Sequence, residues 1–86
     1  MRRDDHERLR KLTAGEMERA LLRDGFEKLR KRGKGTHRRF RHSDGRRVTV
    51  PCSQAGETFS PKTLRSMMRE QARWSEDDLR RLGLLK

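Results

Sequence analysis

The sequence predicts an α+β fold: a helix, a three-stranded antiparallel meander, a second helix and a short last one. Three observations carry this reading. Thr13 with Glu16, and Ser75 with Asp78, are capping boxes, in which hydroxyl and carboxylate satisfy free amides reciprocally at a helix start. Ser60-Pro61 marks another start, because proline at the first helical position lacks an amide that would be orphaned there anyway. Between these signals, Asp44-Gly45 separates two short stretches of strand character, and both residues tolerate the positive φ of a type I′ hairpin turn.

The elements follow in order. Residues 2–12 alternate charge signs around Leu9 and Leu12 and read as a charged N-terminal extension, a solvated terminal tail in preference to one or two helical turns. Thr13 to Asp24 is a firm helix. Leu12 and Met17 are spaced as a hydrophobic staple, Met17, Ala20, Leu21 and Phe26 mark its apolar stripe, and Gly25 suits the left-handed residue that ends it. Residues 26–32 form the first strand, with poor alternation that suits an edge or a bulge. Gly33-Lys34-Gly35 turns the chain, 36–42 is the second strand and 46–50 the third. A loop over 51–59 leads to the helix capped by Ser60, whose apolar face is Leu64, Met67 and Met68. Ser75 then caps a short helix through Leu79 and Leu82, stopped by Gly83. Helices should cover one sheet face and leave the other free.

Composition bounds the function. The chain of 86 residues is one small domain over 1–86, with a thin core and a short C-terminal helix over 75–86. Charged residues make up 43% and hydrophobic ones only 29%, so part of the chain can depend on a partner to fold. A formal charge of +11 favours nucleic acid, an anionic surface or an acidic protein. No apolar run spans a membrane, no secretory signal follows Met1-Arg2-Arg3-Asp4-Asp5, and Cys52 has no disulfide partner, which places the expected location in the cytoplasm.

Strand alternation assigns the chemistry to one face. Phe40 shares a face with Arg38 and His42, while His37, Arg39 and Arg41 point the other way. Val48 and Val50 should join Phe40 inward and leave Arg47 and Thr49 outward. His37 then stands on an open sheet face among Arg39, Arg41 and Arg47. Metal-free RNA cleavage needs a base for the 2′-hydroxyl, donors for the phosphorane and an acid for the departing 5′-oxygen. His37 suits the base or acid, the arginines suit the phosphate, and amides near Gly35 allow close approach of an anion.

Other candidates are weaker. Cys52 has no base near it in sequence and reads as a loop filler. No Cys, His or carboxylate cluster suggests a metal, and no cofactor is expected. Gly33-Lys34-Gly35-Thr36 lacks the spacing of a phosphate loop. Met67 and Met68 read as core, Trp74 as an anchor between the last helices, His42 as a turn-flanking residue and His6 as solvated. Lys62, Arg65, Arg69 and Arg73 form either a solvated basic face or a phosphate-contacting rail.

Gly35-Thr36-His37, an aromatic three residues later at Phe40, and Asp44-Gly45-Arg46-Arg47-Val48-Thr49-Val50-Pro51 together resemble the HicA toxins. These are small bacterial mRNA interferases with a double-stranded-RNA-binding-like α-β-β-β-α fold. The resemblance covers about residues 13–86. It implies that His37 is the catalytic residue and that a HicB-like antitoxin protein neutralises the toxin. Such a partner would cover the His37 face, with acidic groups matching the positive charge. The RNA contacts expected are Lys34, Gly35, Thr36, Arg39, Arg41, Arg47 and Lys62. The chain departs from the common family pattern at Arg39, where an apolar residue is usual, and at Ser53, where many members carry histidine. The expected state is a monomer alone and a hetero-oligomer with antitoxin. A non-catalytic double-stranded-RNA-binding-like module would keep the arginines without needing His37. A DNA-binding role has less support, because the first helices lack a helix-turn-helix apolar pattern.

Overall fold

The structure is a computed structural model that describes residues 3–30, 37–51 and 54–85. Its elements are α1 (Arg3–Arg10), α2 (Ala14–Arg23), β1 (Glu27–Lys28), β2 (His37–Arg41), β3 (Arg47–Pro51), α3 (Pro61–Arg65) running into a π-helical segment (Ser66–Gln71), and α4 (Glu76–Arg81). The sheet is antiparallel in the order β1-β2-β3. This is the α+β arrangement expected from the sequence, with helices on one side of a three-stranded open sheet.

The helix signals act as their chemistry requires. Thr13 Oγ1 accepts the Glu16 amide at 3.2 Å, and Glu16 Oε1 accepts the Thr13 amide at 3.0 Å. Leu12 and Met17 of the staple are both buried. The next two amides of α2 do not face water either: Ala14 N donates to Glu57 O at 2.7 Å and Gly15 N to Ala55 O at 2.9 Å. The loop after β3 is thereby stitched onto the start of α2, and a Cβ on Gly15 would press to 3.3 Å from that of Ala55. Gly25 ends α2 at φ +98°. Ser60 caps α3 through the Thr63 amide, and Ser75 with Asp78 caps α4.

The N-terminal segment differs from expectation. It is not a solvated tail: α1 spans Arg3–Arg10, and Leu9 is buried at its end. The run of charges conceals an apolar pair, Leu9 and Leu12, that reaches the core. The first strand is also shorter, with Glu27–Lys28 alone in strand geometry. Leu29 continues the register through its amide, which donates to Arg39 O at 2.8 Å. The rest of the expected strand, with the Gly33-Lys34-Gly35 turn, lies partly outside the described residues.

The hairpin turn is a second correction. Gly45 has φ +100°, but Asp44 is not in the left-handed region, so the turn is not type I′. The Gly45 amide donates to His42 O at 3.0 Å and the His42 amide to Arg46 O at 2.9 Å. That is a three-residue loop closed by a left-handed glycine, another favoured hairpin connection. Asp44 stabilises it from the side, accepting the Arg46 amide at 3.0 Å and the Arg46 Nε–H at 2.7 Å. The backbone hydrogen bond from Arg46, aided by its side chain, holds the Asp44 carboxyl below its usual range.

One core joins the layers. Phe40, Val48 and Val50 from the sheet meet Met17 and Leu21 of α2 and Met67 of the π segment, all nearly inaccessible. Burying each such side chain contributes about 1.5–3 kcal/mol. The π segment brings Gln71 to β3, where Gln71 Oε1 accepts the outward Thr49 amide at 2.8 Å. Gln71 is held in turn by Ser66, whose Oγ accepts from Nε2 at 3.1 Å.

Candidate functional site

The register fixes what stands together on the open face. His37 lies opposite Pro51, Arg39 opposite Thr49, and Arg41 opposite Arg47. Directly opposed residues project to the same face. His37, Arg39, Arg41 and Arg47 are exposed, whereas Phe40, Val48 and Val50 between them are buried. The sequence-derived division of the strands therefore holds residue by residue. No ion pair among the described residues engages Arg39, Arg41 or Arg47.

The remaining expected contacts are not all part of this face. Lys34, Gly35 and Thr36 lie outside the described residues, as do Cys52 and Ser53. Lys62 is exposed on α3, in the helical layer, and not on the sheet. Among the described residues no cluster of three or more His, Cys, Asp or Glu is arranged to hold a metal ion.

One residue of the face escaped the sequence reading. Glu27 on β1 pairs with Arg41, so a carboxylate begins the row that continues to Arg41 and Arg47. The poor alternation of the 26–30 stretch hid its facing. At about 3.3 Å per residue, the Glu27 row lies roughly 13 Å along the strand from His37. Glu27 therefore bounds the cationic strip and does not serve as a proton-transfer partner for His37.

The opposite face is a scaffold. Asp24 caps the C-terminal end of α2; its side chain is 6% exposed and meets three donors. Trp74 Nε1–H donates to Oδ2 at 2.8 Å, Arg81 Nη2 approaches Oδ1 at 2.6 Å, and Arg46 Nη1 lies 3.2 Å from Oδ2. Burial is the largest single influence on this carboxyl and pushes its pKa up. The Arg81 and Trp74 hydrogen bonds, with the charges of Arg46 and Arg81, together outweigh it and leave the pKa below its ordinary value. Trp74 is buried as an anchor, and its polar tip ties the end of the π segment to α2.

His42 belongs to this scaffold, as its parity predicts. Its Nδ1 accepts the Asp44 amide at 3.1 Å, so Nε2 carries the hydrogen donated to Asp24 O at 3.0 Å. Its ring meets Phe26 edge-on at 5.0 Å. Both nitrogens are engaged, and the ring points away from His37. Arg46 adds a hydrogen bond to Ala72 O at 2.6 Å and lies 4.9 Å over the Phe26 ring. The hairpin is thus gripped at its turn, and none of the described residues covers its outer face.

The fold is thus that of a small α-β-β-β-α domain of the double-stranded-RNA-binding-like class, with a histidine and unpaired arginines on its open sheet face. Residues 14–74, more than half of the chain, match the family model of the HicA toxin of bacterial toxin-antitoxin systems. The chain belongs to the HicA toxin family. No curated protein matches it. No helix among the described residues is long and apolar enough to cross a membrane.

Proposed function

We propose that this HicA-family toxin is an endoribonuclease that cleaves mRNA without a metal, using His37 as the acid/base group. The observation that carries the reading is the grouping of His37 with Arg39, Arg41 and Arg47 on the uncovered sheet face. Neutral imidazole takes the 2′-hydroxyl proton. The alkoxide attacks the adjacent phosphorus, and the P–O5′ bond breaks as the 5′-oxygen takes a proton from solvent, giving a 2′,3′-cyclic phosphate and a 5′-hydroxyl end. The guanidinium groups neutralise the phosphorane, and their planar donors suit its oxygens. Lys34, Gly35 and Thr36, which directly precede His37 in the sequence, are further RNA contacts in this reading, as is Lys62 on α3. A HicB-like antitoxin covers the His37 face in the inhibited state, and acidic groups on it meet the arginines.

The test is cleavage of a labelled single-stranded RNA in EDTA by wild type and His37→Ala. Wild-type cleavage with cyclic phosphate ends, falling by at least about a hundredfold in the variant, supports the reading. Equal cleavage by both overturns it. The position of Glu27, remote from His37, favours a second reading: a binding module that holds RNA by its phosphates and does not cut it. RNA binding by wild type with no cleavage selects that alternative.

A further inference from the structure

The helical layer carries a groove that the sheet-face chemistry does not use. It has a volume of about 500 Å³ and lies between α1, the helix formed by α3 with the π segment, and α4. Leu64, Met68 and Trp74 form its floor, each retaining 5–7% exposure while the core beneath them is closed. Leu9 on α1 and Leu79 on α4 supply the walls. Leu9 precedes and Leu79 follows the residues that match the family model, so both walls come from parts of this chain beyond the matched span.

The rim is cationic. Arg10, Arg65 and Arg69 line the groove and are exposed. No ion pair among the described residues engages any of the three, whereas the rim carboxylate Glu76 is 3.4 Å from Arg80. An apolar floor with unpaired cations along its border matches an amphipathic helix whose polar flanks are acidic. RNA offers the negative charge but no aliphatic side chains for Met68 and Trp74 to meet. A second copy of this chain, at +11, brings like charge to the rim.

We propose that this groove docks an acidic amphipathic helix of a partner protein. Apolar residues spaced i, i+3/i+4 and i+7 seat on Met68 and Trp74, and carboxylates beside them pair with Arg10, Arg65 and Arg69. The site lies in the helical layer and His37 across the sheet, so the two are occupied independently. The proposal does not rest on RNA cleavage.

Trp74 is the chain's single tryptophan and reports directly on the groove. The experiment titrates the full chain with a tryptophan-free synthetic peptide of about 18 residues, carrying leucines at that spacing and glutamates between them, and follows Trp74 emission. A saturable emission change, lost when the leucines become serine and weakened at least about tenfold by Arg65→Glu with Arg69→Glu, supports the site. Far-UV circular dichroism and the melting midpoint check the double variant. Should it not fold, Arg10→Glu on α1 is read in its place, with a weakening of about threefold or more expected. No saturable change, or equal affinity in the charge-reversed variant, overturns the proposal. So does an RNA oligonucleotide that produces the same change and displaces the peptide, which would make these arginines a phosphate track.

Discussion

Arg38 and Arg39 are neighbours on the central strand and do opposite work. Arg38 turns toward the helices, where its Nη1 meets Glu18 at 2.9 Å, with 27% of its side chain exposed. Arg39 turns outward, and none of the described carboxylates pairs with it. The same division runs along β2: Phe40 is sealed between buried valines and helices, while His37 and Arg41 face solvent. One strand thus carries the fold on one side and an exposed strip of unpaired cations on the other. Changes on the inner side should cost stability, and changes on the outer side should cost function alone.

The largest test of that division is Phe40→Ala. Removing the largest fully buried side chain should destabilise the fold by about 3–5 kcal/mol, much of the stability of so small a domain. Urea unfolding measures it, and a loss under 1 kcal/mol would break the division. Next is Asp24→Asn, which strips the charge from a carboxylate facing Arg46 and Arg81 and should cost about 2 kcal/mol. A pH dependence accompanies it. The folded Asp24 pKa lies below its ordinary value of 3.8, so its contribution is complete above that value and fades as pH falls through the folded one. Asp24→Asn should flatten the acid limb of a stability-against-pH curve, and an unchanged limb would assign acid sensitivity elsewhere.

On the outer side, Arg39→Ala should leave the unfolding midpoint within about 0.5 kcal/mol of wild type. It should lower the slope of log affinity for RNA against log salt by about 0.7, one phosphate contact on a single strand. An unchanged slope would remove Arg39 from the strip. The smallest effect concerns Arg73, the one described non-glycine residue with positive φ, at 55°. Arg73→Gly relieves the left-handed strain and should stabilise by up to about 1 kcal/mol, read as a rise in melting temperature. A fall would mean that the arginine side chain itself holds the corner.

Much of this architecture was legible because its signals are local. Thr13 with Glu16, and Ser75 with Asp78, lie three residues apart and settle their geometry without the rest of the chain. The outward facing of His37 needed only strand parity and the inward demand of Phe40. What was hidden depends on distant partners. Asp24 gathers Arg46, Trp74 and Arg81 from three separate segments, and no spacing announces that. The helix at Arg3–Arg10 was masked by charge, since its one leucine, Leu9, makes no stripe. The hairpin loop was misjudged because Asp44-Gly45 suits two turn geometries, and Gly45 alone takes positive φ. The π segment has no signature in residue type, because it is Gln71 reaching Thr49 that rewards the wider turn.

That last contact bears on how the protein behaves when crowded. The β3 positions whose backbone groups point away from β2 are Arg47, Thr49 and Pro51, since in this register Val48 and Val50 exchange the hydrogen bonds with β2. Pro51 has no amide to offer, Thr49 has given its own to Gln71, and Arg47 brings a charge to the rim. On the other side, β1 is two residues long and includes Lys28. Among the described residues, neither margin of the sheet presents a long row of vacant amides onto which another copy could add a strand. Self-association of this chain by strand addition at these margins is therefore disfavoured.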